Sequence, residues 1–402
     1  MRNFASELCC ASAAAAAIFI VQPAVAQEKP ELRITAIISS TGAASPIGIP
    51  ERMAADLWEK KFSARTDLPY RPKVTIYDDA SDPTKSLSIA RKAIEEDRAH
   101  VVICCTTTPA SLAIIDTVTA AKVTNISMGA ATSVASPASS RPFTYKTPIS
   151  DNLLFQQMLG YMKSHGIKLV GFFGAEDSYG ENGLKELQNV AKADGLEVVA
   201  TERFSRQDTN FTPQALRLKQ TKLDAIVVYS TPPSANLAHE ALRRVGYQGP
   251  LYHGGGSANN AFLELGKSSI ENAVVAVGGL NVYDQISKDN PMRKSLEEFA
   301  AIYDGAYGKG KVDLFGGQAW DAMNLAATAF QDALKTRVQK DDLPAMRIAV
   351  NDAMQRIKEF PGVDGVFNFT STDHLGLDGR SNFLAQVRGG RFILLREGTA
   401  KH

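Results

Sequence analysis

The chain is short of cysteine, of tryptophan and of any surplus of charge. Its 402 residues include four cysteines and two tryptophans, and 44 basic side chains stand against 43 acidic ones. A near-neutral balance excludes the basic face with which a nucleic-acid binder neutralises phosphates. After the N-terminal segment no stretch approaches about 18 uninterrupted apolar residues, the length that spans a bilayer, so the rest is expected to be soluble. Walker A, G-x-G-x-x-G, HExxH, CxxC and GxSxG motifs are all missing. The six histidines, at 100, 165, 239, 253, 374 and 402, form no metal-ligand spacing. No metal or cofactor is implied, and an enzyme would need distant residues to converge. What is present, 44% hydrophobic and 22% charged residues with 30 Gly and 18 Pro, is globular composition. The length suggests about two to three domains and a large apolar core without disulfide staples.

Residues 9–26 read CCASAAAAAIFIVQPAVA. Ala13–Val21 has the size of a signal-peptide apolar region, and Ala24-Val25-Ala26 is a small-x-small cleavage site, so a secretory signal removed after Ala26 is expected. A membrane anchor is disfavoured because the apolar run is short and meets Gln27-Glu28-Lys29 at once. Cys9 and Cys10 raise a lipoprotein, but Glu7-Leu8 makes a poor lipobox. Cleavage leaves Cys104 and Cys105, whose adjacency is expected to preclude an internal disulfide.

The remaining chain alternates strands with amphipathic helices. Leu32–Ile38, Val74–Tyr77, Val101–Cys104 and Val123–Ser127 read as strands, with helices at Ile47–Phe62, Pro109–Ala121 and from Asp82-Pro83 to Asp97. The pattern restarts at Asp151, with strands at Lys168–Phe173, Leu196–Glu202, Ala225–Tyr229, Gly249–Tyr252 and Ala273–Val277 between helices. Three long helices follow, then a tail of strand character. Such alternation predicts two α/β lobes of doubly wound parallel sheets.

In open parallel sheets ligands bind beyond the carboxyl ends of the strands. Three loops there are dense in hydroxyls and small residues: Ser39–Ser45, Cys105–Ser111 and Met128–Ser133. Any one of them is explained as an ordinary cap or turn. Together they supply backbone N–H groups, helix N-termini and hydroxyls suited to a carboxylate. The second half offers Gly174–Gly180, Ser230–Pro233 and His253–Ser257, with Tyr179 placed to close over a ligand. His253 is read as structural. The run Asp78-Asp79 with Asp82 is read as a strand end and helix cap rather than a metal loop.

Thr41-Gly42, Tyr77-Asp78-Asp79-Ala80-Ser81-Asp82-Pro83, Cys105-Thr106-Thr107-Thr108, Gly129-Ala130-Ala131-Thr132 and Asp177-Ser178-Tyr179-Gly180 occur in this order over essentially the whole mature chain. In this they resemble the periplasmic branched-chain amino-acid binding proteins of ABC importers, of the type I periplasmic binding fold. The resemblance implies two lobes joined by a three-crossover hinge: residues 27–149 plus 282–380, and 150–281 plus 381–402, after a signal peptide at 1–26. It implies a monomer that hands a small carboxylate ligand to an inner-membrane ABC permease. It places carboxylate contacts at Thr106 and Thr107, a backbone and hydroxyl pair at Ala130 and Thr132, and a covering ring at Tyr179, with Thr41 in the first loop. The departures bear on the ligand. The family's ammonium-neutralising acid falls at Gly256, and two tyrosines are replaced by Ile47 and Thr231. The family's paired cysteine is Ser81. These changes imply a larger pocket, less suited to cations, and a ligand that keeps a carboxylate but lacks an α-amino group, such as an aromatic or other organic acid. Asp177 or Glu176 in place of the lost acid would restore an amino acid. A ligand-sensing receptor domain on the same fold is the other reading.

Overall fold

The computed structural model describes residues 29–398. The signal peptide and its cleavage after Ala26 lie outside the described residues. The first sheet has five parallel strands in the order β2-β1-β3-β4-β5. These are β1 (Glu31–Ile38), β2 (Arg71–Asp78), β3 (Val101–Cys104), β4 (Thr124–Ser127) and β5 (Thr144–Lys146). Helices α1 (Ser45–Ser63), α2 (Pro83–Glu95) and α3 (Thr108–Ala120) connect the first four strands. β3 is buried throughout, as a strand covered on both faces by helices must be.

A second unit follows: α4 (Asp151–Ser164), β6 (Leu169–Ala175), α5 (Ser178–Asp194), β7 (Glu197–Phe204), α6 (Thr212–Gln220), β8 (Ala225–Tyr229), α7 (Ser234–Arg244), β9 (Leu251–His253), α8 (Asn260–Gly266) and β10 (Val274–Val277). The chain then returns to the first sheet with α9 (Arg293–Tyr307), α10 (Leu314–Ala333) and α11 (Leu343–Met354), and α10 packs along α1. Trp58 Nε1 donates to Asn324 Oδ1 at 2.8 Å across that contact. A small hairpin, β11 (Phe360–Pro361) and β12 (Val366–Phe367), precedes β13 (Phe383–Arg388) and β14 (Arg391–Arg396). The tail pair adds an antiparallel edge, giving the order β14-β13-β10-β9-β8-β6-β7. The chain thus passes between the sheets three times, at 147–150, 278–292 and 368–382.

Local signals set the helix ends. Asp82 accepts from Thr84 N and Lys85 N, with Pro83 opening α2. Asp177 caps α5 in the same way, and Gly195 ends it at φ 75°, a conformation that suits glycine. Asp78 and Asp79 are taken up by Thr41, Ser39, Ser86 and nearby backbone N–H groups, as expected of a strand end. One expectation fails. Cys104 and Cys105 are joined in a vicinal disulfide, with their Cα atoms 3.0 Å apart at the end of buried β3.

Candidate functional site

Each sheet has one place where its strand order reverses: between β1 and β3 in the first sheet, and between β6 and β8 in the second. Loops that leave such neighbouring strands in opposite directions open a crevice at their carboxyl ends. The two crevices share one cavity of about 250 Å³. Helices begin at its wall. Ala44 of α1, Pro83 of α2, Thr107 of α3, Asp151 of α4, Asp177 of α5 and Leu314 of α10 all line it. Their partial positive ends favour an anion. The rest of the lining is largely apolar, including Ile47, Pro109, Met128, Ile149, Leu154 and Phe315.

On the first sheet's side the centre is Thr106. Ser39 N donates to Thr106 Oγ1 at 2.9 Å, and Glu51 of α1 is hydrogen-bonded to the same hydroxyl. Glu51 is fully buried, and burial pushes its carboxyl well above the usual range. Thr106 Oγ1 thus accepts from Ser39 N and donates to Glu51.

The second sheet's side is aromatic and ionic. Tyr179 stacks on Tyr229 with ring centroids 4.6 Å apart, and Arg206 lies 5.7 Å over the Tyr179 ring. Arg206 pairs with Asp177 at 2.5 Å and donates to Thr231 Oγ1 at 2.6 Å. Tyr229 donates to Asp151, which also accepts from Asn182. Burial raises Asp151 to about 6, and the ammonium of buried Lys146 opposes the shift. Burial lowers Lys146 to about 8, and its Nζ donates to Ala130 O and to Ile149 O at 3.2 Å.

Of the residues singled out in the sequence, Ile47, Thr106, Thr107, Ala130, Tyr179, Thr231 and Gly256 line the cavity. Thr41 and Thr132 are not among its lining residues. Thr41 is drawn off by Asp78, whose Oδ2 accepts its hydroxyl at 2.6 Å, and at the fourth loop Ala130 takes the wall in place of Thr132. Gly256 leaves no extra room, contrary to the enlargement expected from it. A Cβ there would meet Ser230 O at 2.7 Å and Tyr179 Oη at 2.9 Å. Its small size instead lets Gly256 N donate to Tyr179 Oη at 3.2 Å. Neither proposed substitute for the lost acid is free: Asp177 is held by Arg206, and Glu176 is exposed. His253 is buried against His239, Ser257 and Phe262 and does not line the cavity.

Sequence reasoning missed Arg206, Tyr229, Asp151, Gln318 and Asp364 as lining residues. Arg206 follows β7, a strand end left uninspected, where the strand-end rule itself would have found it. Gln318 and Asp364 belong to the returning segment and carry no such signal.

A two-lobed α/β frame with a cavity between its sheets is the architecture of a solute binder. The chain belongs to the periplasmic binding protein family, whose description is "Periplasmic binding protein" and whose model matches residues 31–391. It is a family of binders rather than catalysts, and it is periplasmic. The fold is that of the type I, branched-chain amino-acid class. An extracellular ligand-binding receptor from Rhodopseudomonas palustris HaA2 is 30% identical, with TM-score 0.85, over 91% of this chain and 100% of that one. A branched-chain amino acid transporter substrate binding protein from Streptococcus pneumoniae, solved with isoleucine, is 19% identical with TM-score 0.76, over 91% and 99%. An R. palustris ABC transporter solute binding protein, solved with benzoate, is 17% identical with TM-score 0.77, over 92% and 98%. No curated protein matches the sequence at a significant level. Among the described residues no helix is long and apolar enough to cross a membrane.

Proposed function

We propose that this protein captures a small organic acid, aromatic or otherwise lacking an α-ammonium group, and delivers it to an inner-membrane ABC permease. One observation carries the reading. Six helix N-termini and the Thr106 hydroxyl converge on an apolar cavity in which no ionised carboxylate is left unpaired. Asp177 is neutralised by Arg206, and Asp151 is engaged by Tyr229, Asn182 and Lys146. Burial first, and then Asp321 nearby, push the Asp364 carboxyl well above its usual range. An ammonium brought here would lose its hydration without a free counter-charge. The ligand's carboxylate sits at Thr106 and Thr107, and Tyr179 covers it.

Residues 27–149 with 282–380 act as one lobe and 150–281 with 381–402 as the other. The ligand stabilises their closed arrangement through contacts from both. The mature chain, exported and cleaved after Ala26, works as a monomer in the periplasm. An amino-acid carrier is the second reading, because Asp151 and Asp364 do line the cavity. The test is a thermal-shift screen of residues 27–402 against organic acids and amino acids. A cognate ligand at about 100 times its Kd adds roughly 2.7 kcal/mol. Stabilisation by amino acids alone would replace the first reading with the second.

A further inference from the structure

Lys146 is a buried cation held by carbonyls rather than by an acid. It ends β5 and is 0% exposed. Its Nζ donates to Ala130 O and Ile149 O, which spends two of an ammonium's three N–H groups. Among the described residues no carboxylate forms an ion pair with it. The acids that face it are Asp151, at the start of α4, and Asp364, in the turn between β11 and β12. Asp151 is engaged by Tyr229 and Asn182. Burial and then Asp321 push the Asp364 carboxyl well above its usual range. An ammonium stripped of water costs several kcal/mol unless a close opposite charge repays it. Ala130 and Ile149 both line the cavity, so the place for a closer anion is across that wall.

The wall itself carries the charge to a donor. The peptide unit between Ala130 and Ala131 gives its carbonyl to Lys146 and its N–H to Thr108 Oγ1, at 3.3 Å. Bonds in such a chain polarise one another, so a cation at one end strengthens the donor at the other. Thr108 opens α3, lines the cavity and is 2% exposed. Its oxygen accepts from Ala131, and among the described residues its hydroxyl hydrogen has no acceptor. Thr106 differs, because its proton goes to Glu51. Arg206, on the facing wall, is already paired with Asp177.

We infer that Lys146 supplies the positive charge against which the ligand's carboxylate is held, and that the Thr108 hydroxyl is the donor that touches it. Lys146 is a positioning residue, acting through the peptide between Ala130 and Ala131. The inference rests on the proposed function only in that the ligand bears a carboxylate.

The experiment is calorimetric titration of the mature protein with acids and their primary amides: benzoate against benzamide, cinnamate against cinnamamide, leucine against leucinamide. The acid is expected to bind about tenfold or more tighter than its amide. In Lys146→Met and in Thr108→Val that preference falls about tenfold, while the amide keeps its affinity within about threefold. Thr108→Ser keeps the hydroxyl and keeps the preference. In the unaltered protein the preference also falls as pH rises past about 8, where Lys146 loses its proton, and in Lys146→Met that slope is gone. The Thr108 variants and the unaltered protein's pH profile decide the matter even where Lys146→Met does not fold. Acid and amide weakened alike, or a preference unchanged between about pH 7 and 9.5, would overturn the assignment and leave a carboxylate ligand standing. Leucine bound in place of the aromatic acids would remove the organic-acid reading alone, and the leucine pair then tests Lys146 and Thr108. Amides bound as tightly as acids in every series would remove both inferences.

Discussion

The two walls of the cavity occupy the same place in their sheets and share almost no chemistry. The first presents Ile47, Thr106, Thr107, Pro109 and Ala130, small or uncharged, with Glu51 hidden behind Thr106. The second presents stacked Tyr179 and Tyr229 and the Arg206–Asp177 pair. Topology decides that a site exists at the reversal of strand order, and side chains decide what it holds. The first wall is built of small and apolar side chains, and the second is held together by its own partners.

The largest expected effect comes from the second wall's dependence on its own pairing. Asp151→Ala strips the Tyr229 hydroxyl and the Asn182 amide of their buried acceptor and removes the opposing charge near the buried Lys146 ammonium. Removing one side of such a pair costs about 3–5 kcal/mol, to be read from the urea midpoint. A loss below about 1 kcal/mol would mean that this wall stands without the pair.

The first wall should fail differently. Thr106→Val is expected to weaken carboxylate binding by about ten- to a hundredfold in calorimetry. Unfolding should move by no more than about 2 kcal/mol. Equal weakening for acids and their methyl esters would break the assignment of Thr106 to the carboxylate.

The pH dependence sharpens the same contrast. Burial, and then the neighbouring Asp79 and Asp313, raise Glu51 well above the glutamate range. The folded protein therefore holds this proton more tightly than the unfolded chain. Its stabilising contribution is whole below the ordinary glutamate range and is lost as pH rises to the folded value. Glu51→Gln keeps a neutral oxygen acceptor behind Thr106 and is expected to flatten the profile of unfolding free energy against pH. An unchanged slope would assign the titration to another group.

Arg206→Met is expected to have the smallest effect, because the pair with Asp177 is about one quarter exposed. It frees Asp177 and should raise the affinity of amino acids relative to organic acids by roughly two- to fivefold. A fall in that ratio would show Asp177 facing away from the ligand.

The helices and strands were legible wherever a local rule acts. Asp82-Pro83, Asp177 and Gly195 mark helix ends through contacts within a few residues, and the buried runs of β3 and β8 read directly as strands. The short β5 and β11 went unseen because strands of 3 and 2 residues carry no period. In the cavity wall, Ile47, Thr106, Thr107, Ala130, Tyr179, Thr231 and Gly256 come from inspected loops. Thr41 lies outside the lining, and Asp78, 37 positions away, accepts its hydroxyl. The sulfur bond between Cys104 and Cys105 was missed because adjacency alone argues against it.

By itself, then, the sequence determined the α/β alternation, several of the strand ends that line the cavity, and a family resemblance over the whole mature chain. These follow from periodicity, caps and short motifs, all of which act over a few residues. Only the tertiary structure decided that Gly256 is closed by Tyr179 and Ser230, that Arg206 neutralises Asp177, and that Gln318, Asp364 and Ser381 meet on one wall. Those relations join segments tens to more than a hundred residues apart. They are made by how the helices pack on the sheets and by the three passages between them, and no local pattern records them.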